Sequence, residues 1–176
     1  MRSPIPRVLP RWFLLIPAVV LMNTTAHAAK LLECVGPETT KYTPGILNDP
    51  RQLSFEGKGT MLLCLGLVPG GLTVKEVVST GAGELGCAVN TPPGPSKLTL
   101  RWSNGDTGEA EGTTVVNSKP AGELVLVQRA KIVSGPLTGA NIVRTLTSVQ
   151  FDVTACNQEP GVTELNGIDN IVITGQ

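Results

Sequence analysis

The chain has 176 residues, with 14 basic and 14 acidic side chains, and it is poor in charged (16%) and aromatic (3%) residues. Its length suits one domain. The balanced charge lacks the basic footprint of a nucleic-acid-binding protein, and 41% hydrophobic residues is too many for a disordered chain. Abundant glycine, valine and threonine favour strands over helices. The composition therefore predicts a small all-β globular protein.

Residues 1–28 have the three parts of a secretory signal peptide. Three arginines come first, and residues 12–22 form an apolar run. Ala26-His27-Ala28 then places small residues at the two positions that signal peptidase recognises. The apolar run is shorter than the about 20 residues that a membrane-spanning helix needs. We expect cleavage after Ala28 and a secreted, extracellular β domain at 29–176 that has no membrane contact after cleavage.

Cleavage would also remove His27, the only histidine of the chain. The remainder then lacks the base that Ser-His-Asp and Cys-His catalysis require, and it contains no phosphate-binding loop or dinucleotide motif. Its acidic residues lie mostly in turns or beside glycines, where water is expected to hold each carboxyl pKa near its ordinary value. We therefore predict a non-enzymatic protein with no cofactor.

The four cysteines, Cys34, Cys64, Cys87 and Cys156, predict two disulfides, because an even count in an exported chain is typical of a disulfide framework. Three pairings are possible. The spacing of Cys87, Trp102 and Cys156 is like that of immunoglobulin domains, in which the tryptophan packs on the bridge between the sheets. This spacing favours Cys87–Cys156 and leaves Cys34 to pair with Cys64.

The first half of this domain shows short strand patterns separated by glycine and proline. Strands are expected at 31–35 and 39–43 with a break at Gly36-Pro37, then around 53–55, at 61–67 as a buried strand, and at 72–78. Residues 88–97 contain three prolines, Pro92, Pro93 and Pro95, and predict a stiff loop.

The second half continues the pattern. Residues 98–102 and 110–116 should form a hairpin in which Asn104 and Gly105 both take positive φ. Further strands are expected at 123–133, 142–156, 162–165 and 168–174. About nine short strands with regular turn signals favour a single disulfide-stapled β-sandwich of the immunoglobulin-like kind, and a small β-barrel is the alternative.

Several short motifs resemble those of a group of small secreted actinobacterial proteins, of the Streptomyces type and of unknown function. The shared marks are Cys34-Val35-Gly36, residues 42–46 (YTPGI), residues 102–105 (WSNG), residues 134–139 (SGPLTG), and Cys156 followed by Pro160-Gly161-Val162. The resemblance implies export, an all-β fold and two disulfides, and it implies no active site.

Three acidic residues near the central hairpin, Asp106, Glu109 and Glu111, are the one local cluster of carboxylates. Such a cluster could serve a carboxylate-based hydrolase or offer oxygen ligands to calcium. Acids beside a turn are more often simply solvated, so these two functions are minor hypotheses, and no metal site is predicted.

The remaining candidates for ligand contact are Tyr42, Trp102 and the proline-rich loop 88–97. Tyr42 beside Pro44-Gly45 and Trp102 could both contact a ligand, although each is more typical of packed structure. The favoured function is a non-enzymatic binding or structural module with an unknown extracellular ligand or protein partner. An extracellular protease inhibitor that presents loop 88–97 is the alternative.

Overall fold

The structure, a computed structural model, describes residues 29–66, 68–87, 94–118, 123–148 and 154–175. The expected signal peptide, residues 1–28, lies outside this part, so export and cleavage stay predictions. Within the described ranges no helix is long and apolar enough to cross a membrane.

The described residues form nine strands and two short 3₁₀ turns, which confirms the all-β prediction. The strands are β1 (Lys30–Ile46), β2 (Arg51–Thr60), β3 (Leu63–Gly66), β4 (Val74–Leu85), β5 (Pro95–Trp102), β6 (Thr107–Ser118), β7 (Leu124–Ser134), β8 (Asn141–Ser148) and β9 (Val162–Thr174). The 3₁₀ turns are Pro69–Gly71 and Ala155–Asn157.

Eight of these strands close into an antiparallel barrel. Strands β4 to β9 each pair with the next, β2 pairs with β4, and β1 pairs with both β9 and β2. The immunoglobulin-like sandwich is therefore wrong, and the alternative, a small β-barrel, is the observed fold. Closure depends on β1, a strand of 17 residues. It pairs with β9 along one edge and with β2 along the other, and so joins the two ends of the sheet.

Strand β1 runs through Gly36-Pro37, where the sequence predicts a break. On one side of β1, β3 pairs with Leu32 to Val35 and β2 pairs with Glu38 to Thr43. Pro37 falls between these two partners, so its missing N–H breaks neither ladder. A side chain at Gly36 would collide with the carbonyl oxygen of Thr60, so the close crossing of β2 requires glycine there.

Three other predicted segments also differ from the structure. The two expected strands 162–165 and 168–174 are the single strand β9. The expected strand 142–156 is described as β8 up to Ser148, residues 149–153 lie outside the described residues, and residues 154–156 form a turn and the start of a 3₁₀ helix. The predicted buried strand at 61–67 is the four-residue β3, which lies outside the barrel against β1. Leu62, Leu63 and Leu65 are consequently exposed.

The central hairpin forms between β5 and β6, but only one of its two turn residues has positive φ. The φ of Gly105 is 89°, and its N–H donates to the carbonyl of Trp102 at 3.0 Å. Asn104 instead accepts the Asp106 N–H on its side-chain oxygen at 3.0 Å. Residues 102–105 thus form a four-residue turn whose last residue is a left-handed glycine, not the expected turn with two left-handed residues.

The two disulfides are Cys34–Cys64 and Cys87–Cys156, which are the pairs that the sequence favours. Their surroundings differ from the immunoglobulin pattern, however. Trp102 packs in the apolar cluster that contains Cys34, whereas Cys87 and Cys156 belong to a second cluster. The pairing is therefore right, although the packing that suggested it does not occur.

Candidate functional site

The barrel interior consists of two apolar ends with a polar layer between them. One end is a packed core around Trp102, Leu100 and Ile171. The other end contains Tyr42, Leu53 and Leu165. The layer between them carries Glu38, Arg144 and Asp169, which are the buried charged side chains among the described residues.

Arg144 is the centre of this polar layer. It points inward from β8, and its Nε donates to Asp169 Oδ2 on β9 at 2.9 Å. Its two terminal nitrogens donate to Glu38 Oε2 on β1 and to Gln128 Oε1 on β7. The three charged side chains are each exposed by 2% or less. A guanidinium is suited to this position because its donors lie in one rigid plane.

Strand β2 leaves room for the two carboxylates by placing glycine at successive inward positions. A Cβ at Gly57 would collide with Glu38 Oε1 and come within 2.5 Å of Ser79 Oγ. A Cβ at Gly59 would lie 3.2 Å from Glu38 Oε2 and 3.3 Å from Asp169 Oδ2. The sequence Gly-Lys-Gly in β2 therefore makes the space that the buried charges occupy.

The layer carries two carboxylates and one guanidinium, so one negative charge is left over in the interior when both carboxylates are ionised. Burial raises the pKa of the Asp169 carboxyl to about 7, and the negative charge of Glu38 adds to this rise although Arg144 opposes it. Asp169 Oδ1 is buried and has no hydrogen-bond partner among the described residues. The expectation that water holds the carboxyl pKa values near normal is therefore wrong for Asp169.

A cavity of about 210 Å³ lies directly above this layer. Its floor is polar and includes Glu38, Arg144, Gln128, Thr40 and Ser79. The Thr40 hydroxyl donates a hydrogen bond to Glu38 Oε1 at 2.9 Å and so holds this carboxylate in place. Asp169 does not line the cavity and acts on it only through Arg144 and Glu38.

The cavity wall above the floor is apolar. It is formed by Tyr42, Ile46, Phe55, Leu85, Leu124, Leu126 and Leu146. Tyr42 and Phe55 face each other as a registered pair on β1 and β2. Burial, together with the charge of Glu38, raises the pKa of the Tyr42 phenol above its usual value, so this hydroxyl stays protonated at neutral pH.

The mouth of the cavity is formed by residues around the ends of β4 and β5. Ala82, Glu84 and Pro95 line it and are exposed to solvent. Gly86 also lines it and precedes Cys87, whose N–H donates to the Leu47 carbonyl at 2.8 Å. The Cys87–Cys156 disulfide therefore holds the rim to the turn that precedes β9.

The structure brings some of the predicted contact residues to the cavity and leaves others away from it. Tyr42 lies in the wall, and Pro95 is the first residue of β5 at the mouth, so the expected loop 88–97 ends by residue 94. Pro92 and Pro93 lie outside the described residues. Trp102 is 1% exposed in the opposite end of the barrel, away from the cavity.

The acidic candidates of the hairpin stay on the outer surface. Asp106 accepts a hydrogen bond from the Asn104 side-chain amide at 2.7 Å, and Glu111 lies 4.0 Å from the Lys97 ammonium. Glu109 is exposed on the outside of β6. The weak calcium hypothesis is not supported, since the described residues hold no group of three or more side chains suited to a metal ion.

The residues that form the floor were missed by sequence reasoning, although a signal for them exists. Arg144 lies on the same face of β8 as the buried Ile142 and Leu146, and Asp169 lies on the same face of β9 as the buried Ile171 and Ile173. Strand side chains alternate between the two faces. A charged residue in the phase of buried isoleucines and leucines therefore indicates a buried charge that needs a partner.

No protein-family model, no curated protein and no solved structure matches this chain. The geometry and charge of the cavity are therefore the basis for a function.

Replacing Arg144 by methionine should strongly destabilise the protein, because two buried carboxylates would lose their only cation. We expect the free energy of unfolding to fall by about 3–5 kcal/mol in urea titrations. Arg129→Met is the matched control, since Arg129 is exposed on the neighbouring strand β7, and it should change stability by less than about 0.5 kcal/mol. Equal effects of the two variants would contradict the structural role of Arg144.

The raised pKa of Asp169 predicts that stability falls as pH rises from about 4 to about 7. The folded state holds this proton up to about pH 7, whereas in the unfolded state the carboxyl has its ordinary pKa of 3.8 and loses the proton near that pH. The groups that face Asp169 are Arg144 on β8 and Glu38 on β1. Urea unfolding at several pH values should show a decline that Asp169→Asn reduces, and an identical slope in the variant would contradict the assignment.

Proposed function

We propose that this protein is an exported binding protein that holds a small amphipathic molecule inside its barrel and does not transform it. The observation that carries the proposal is the cavity of about 210 Å³, with its apolar wall and its buried, hydrogen-bonded charged floor. Binding sites for small molecules typically combine such a wall with a few fixed polar groups.

The size of the barrel supports this function. An eight-stranded barrel is just wide enough to be filled by its own side chains or to hold one small ligand. Here the Trp102 end is filled, whereas the end above Arg144 keeps the cavity of about 210 Å³. The apolar wall would stabilise the body of a ligand through burial, and the floor would fix the orientation of its polar end.

The rigidity of the floor also supports binding. Arg144 already donates hydrogen bonds to residues of three other strands, so its side chain loses little further conformational entropy when a ligand binds. The two disulfides support an oxidising compartment and so agree with export.

The cavity also offers little for catalysis. The described residues contain no histidine, and Asp169, the carboxyl that titrates near neutral pH, does not line the cavity. A general acid or base must lie within hydrogen-bond reach of the reacting group. We therefore favour binding over a carboxylate-based hydrolase, and no observation favours a protease inhibitor.

Blocking the mouth should abolish binding. Gly83 lines the cavity, and a Cβ there would meet no atom within 4 Å, so the backbone leaves room for a side chain to start at this position in Gly83→Phe. Isothermal titration with 1-hexanol should detect binding to the wild type and at least about tenfold weaker binding to Gly83→Phe.

The matched control is Thr80→Phe, which places the same ring on the exposed face of the same strand. It should bind the probe like the wild type. Probe binding that survives Gly83→Phe, or that is lost equally in Thr80→Phe, would place the ligand outside the barrel.

The absence of turnover is tested separately. Purified protein should show no rate with generic peptide, ester and glycoside substrates between pH 4 and 9. A rate that disappears in Glu38→Gln would make the cavity an active site. A rate that disappears in Asp106→Asn or Glu109→Gln would assign activity to the acidic hairpin.

A further inference from the structure

The charges around the cavity are unequal. One carboxylate, Glu38, and one cation, Arg144, line the floor of the cavity. A further carboxylate, Asp169, lies directly behind Arg144. The polar layer below the cavity therefore has two carboxylates for one cation, and buried charges act on a ligand more strongly than charges in bulk water do.

Arg144 is poorly placed to receive an anionic ligand. Three of its five N–H donors already serve acceptors on the protein, namely Asp169, Gln128 and Glu38. A ligand carboxylate would bring a third negative charge to a single guanidinium in a buried site. Like charges at such short range cost several kcal/mol in recognition, so the floor disfavours an anion.

The floor instead fits a donor with a positive charge. Glu38 lines the cavity, and an ammonium near it would balance the one negative charge that Arg144 leaves uncompensated. Buried charges are stable when they are paired and hydrogen-bonded. A ligand of this kind would complete the charge balance of the polar layer.

The walls support the same ligand class. Tyr42 and Phe55 lie opposite each other on β1 and β2, and both line the cavity. The faces of aromatic rings attract cations, and this attraction is stronger where water is excluded. The apolar wall residues Leu124, Leu126 and Leu146 then match a short hydrocarbon body.

We propose that the ligand is a small organic cation, an amine with a short apolar body, whose ammonium group lies at Glu38 while its body packs against the apolar wall. This inference rests on the proposed function and adds to it the sign of the ligand charge.

Three probes of equal length and different charge test the inference on the unaltered protein: 1-hexylammonium, 1-hexanol and hexanoate. Isothermal titration at pH 7.5 and moderate salt should show 1-hexylammonium binding at least about tenfold more tightly than 1-hexanol, because a hydrogen bond to a charged group is worth that ratio. Hexanoate should bind more weakly than 1-hexanol. The measurement needs no mutation, so a folding defect cannot obscure it.

A pair of variants locates the charge preference. Glu38→Gln should bring the affinities for 1-hexylammonium and 1-hexanol to within about threefold of each other. Glu109→Gln, which removes an exposed carboxylate on the outer face of β6, should keep the wild-type ratio. If Glu38→Gln does not fold, the three probes on the unaltered protein still decide the sign of the ligand charge.

The outcomes separate the two proposals. If 1-hexanol or hexanoate binds as tightly as 1-hexylammonium and Gly83→Phe abolishes that binding, the barrel binds ligands but the cationic assignment is wrong. If the wild type prefers the cation and Glu109→Gln alone removes the preference, the cation binds outside the barrel, and this inference is wrong. If none of the three probes binds to the wild type, the proposed function fails, and this inference fails with it.

Discussion

The guanidinium of Arg144 is the point at which four strands of the barrel are tied together. It reaches from β8 to Glu38 on β1, Gln128 on β7 and Asp169 on β9, all within the closed interior. Buried ions of this kind are costly unless they are paired. The pairing therefore constrains the register of β1, β8 and β9, since a slip of one residue would turn each charged side chain to the opposite face.

The same constraint explains why the barrel is filled unevenly. The carboxylates need space, and β2 supplies it with Gly57 and Gly59 in place of larger inward side chains. On one side of the polar layer, Trp102 and the aliphatic residues around it pack the barrel closely. On the other side, wall residues such as Leu124 and Leu126 line the interior but leave the cavity open toward Pro95.

The proposed function follows from this division of the interior. The closely packed end and the disulfide Cys34–Cys64 hold β1 and β3 together, while Cys87–Cys156 fixes the rim of the open end. Between them lies a floor in which Arg144 is already held by three hydrogen bonds and in which two carboxylates share one cation. A site organised in this way before binding favours one orientation and one sign of charge in its ligand, which is how a small cavity achieves selectivity.

The sequence by itself determined the all-β class, a left-handed glycine at Gly105 and the presence of two disulfides, because these depend on strand propensity, on a local backbone conformation and on an even number of cysteines. The favoured cysteine pairing is right, but the tryptophan packing from which it was inferred does not occur. Only the tertiary structure decided that the strands close into a barrel, since closure requires β1 to pair with both β9 and β2, more than 100 residues apart in the first case. The floor was likewise decided by the fold. The alternation in β8 and β9 marks Arg144 and Asp169 as inward-facing, but Glu38, which completes their charge balance, is separated from Arg144 by 106 residues. Local pattern places a charge on one face of a strand, whereas only the closed sheet determines which charge it meets.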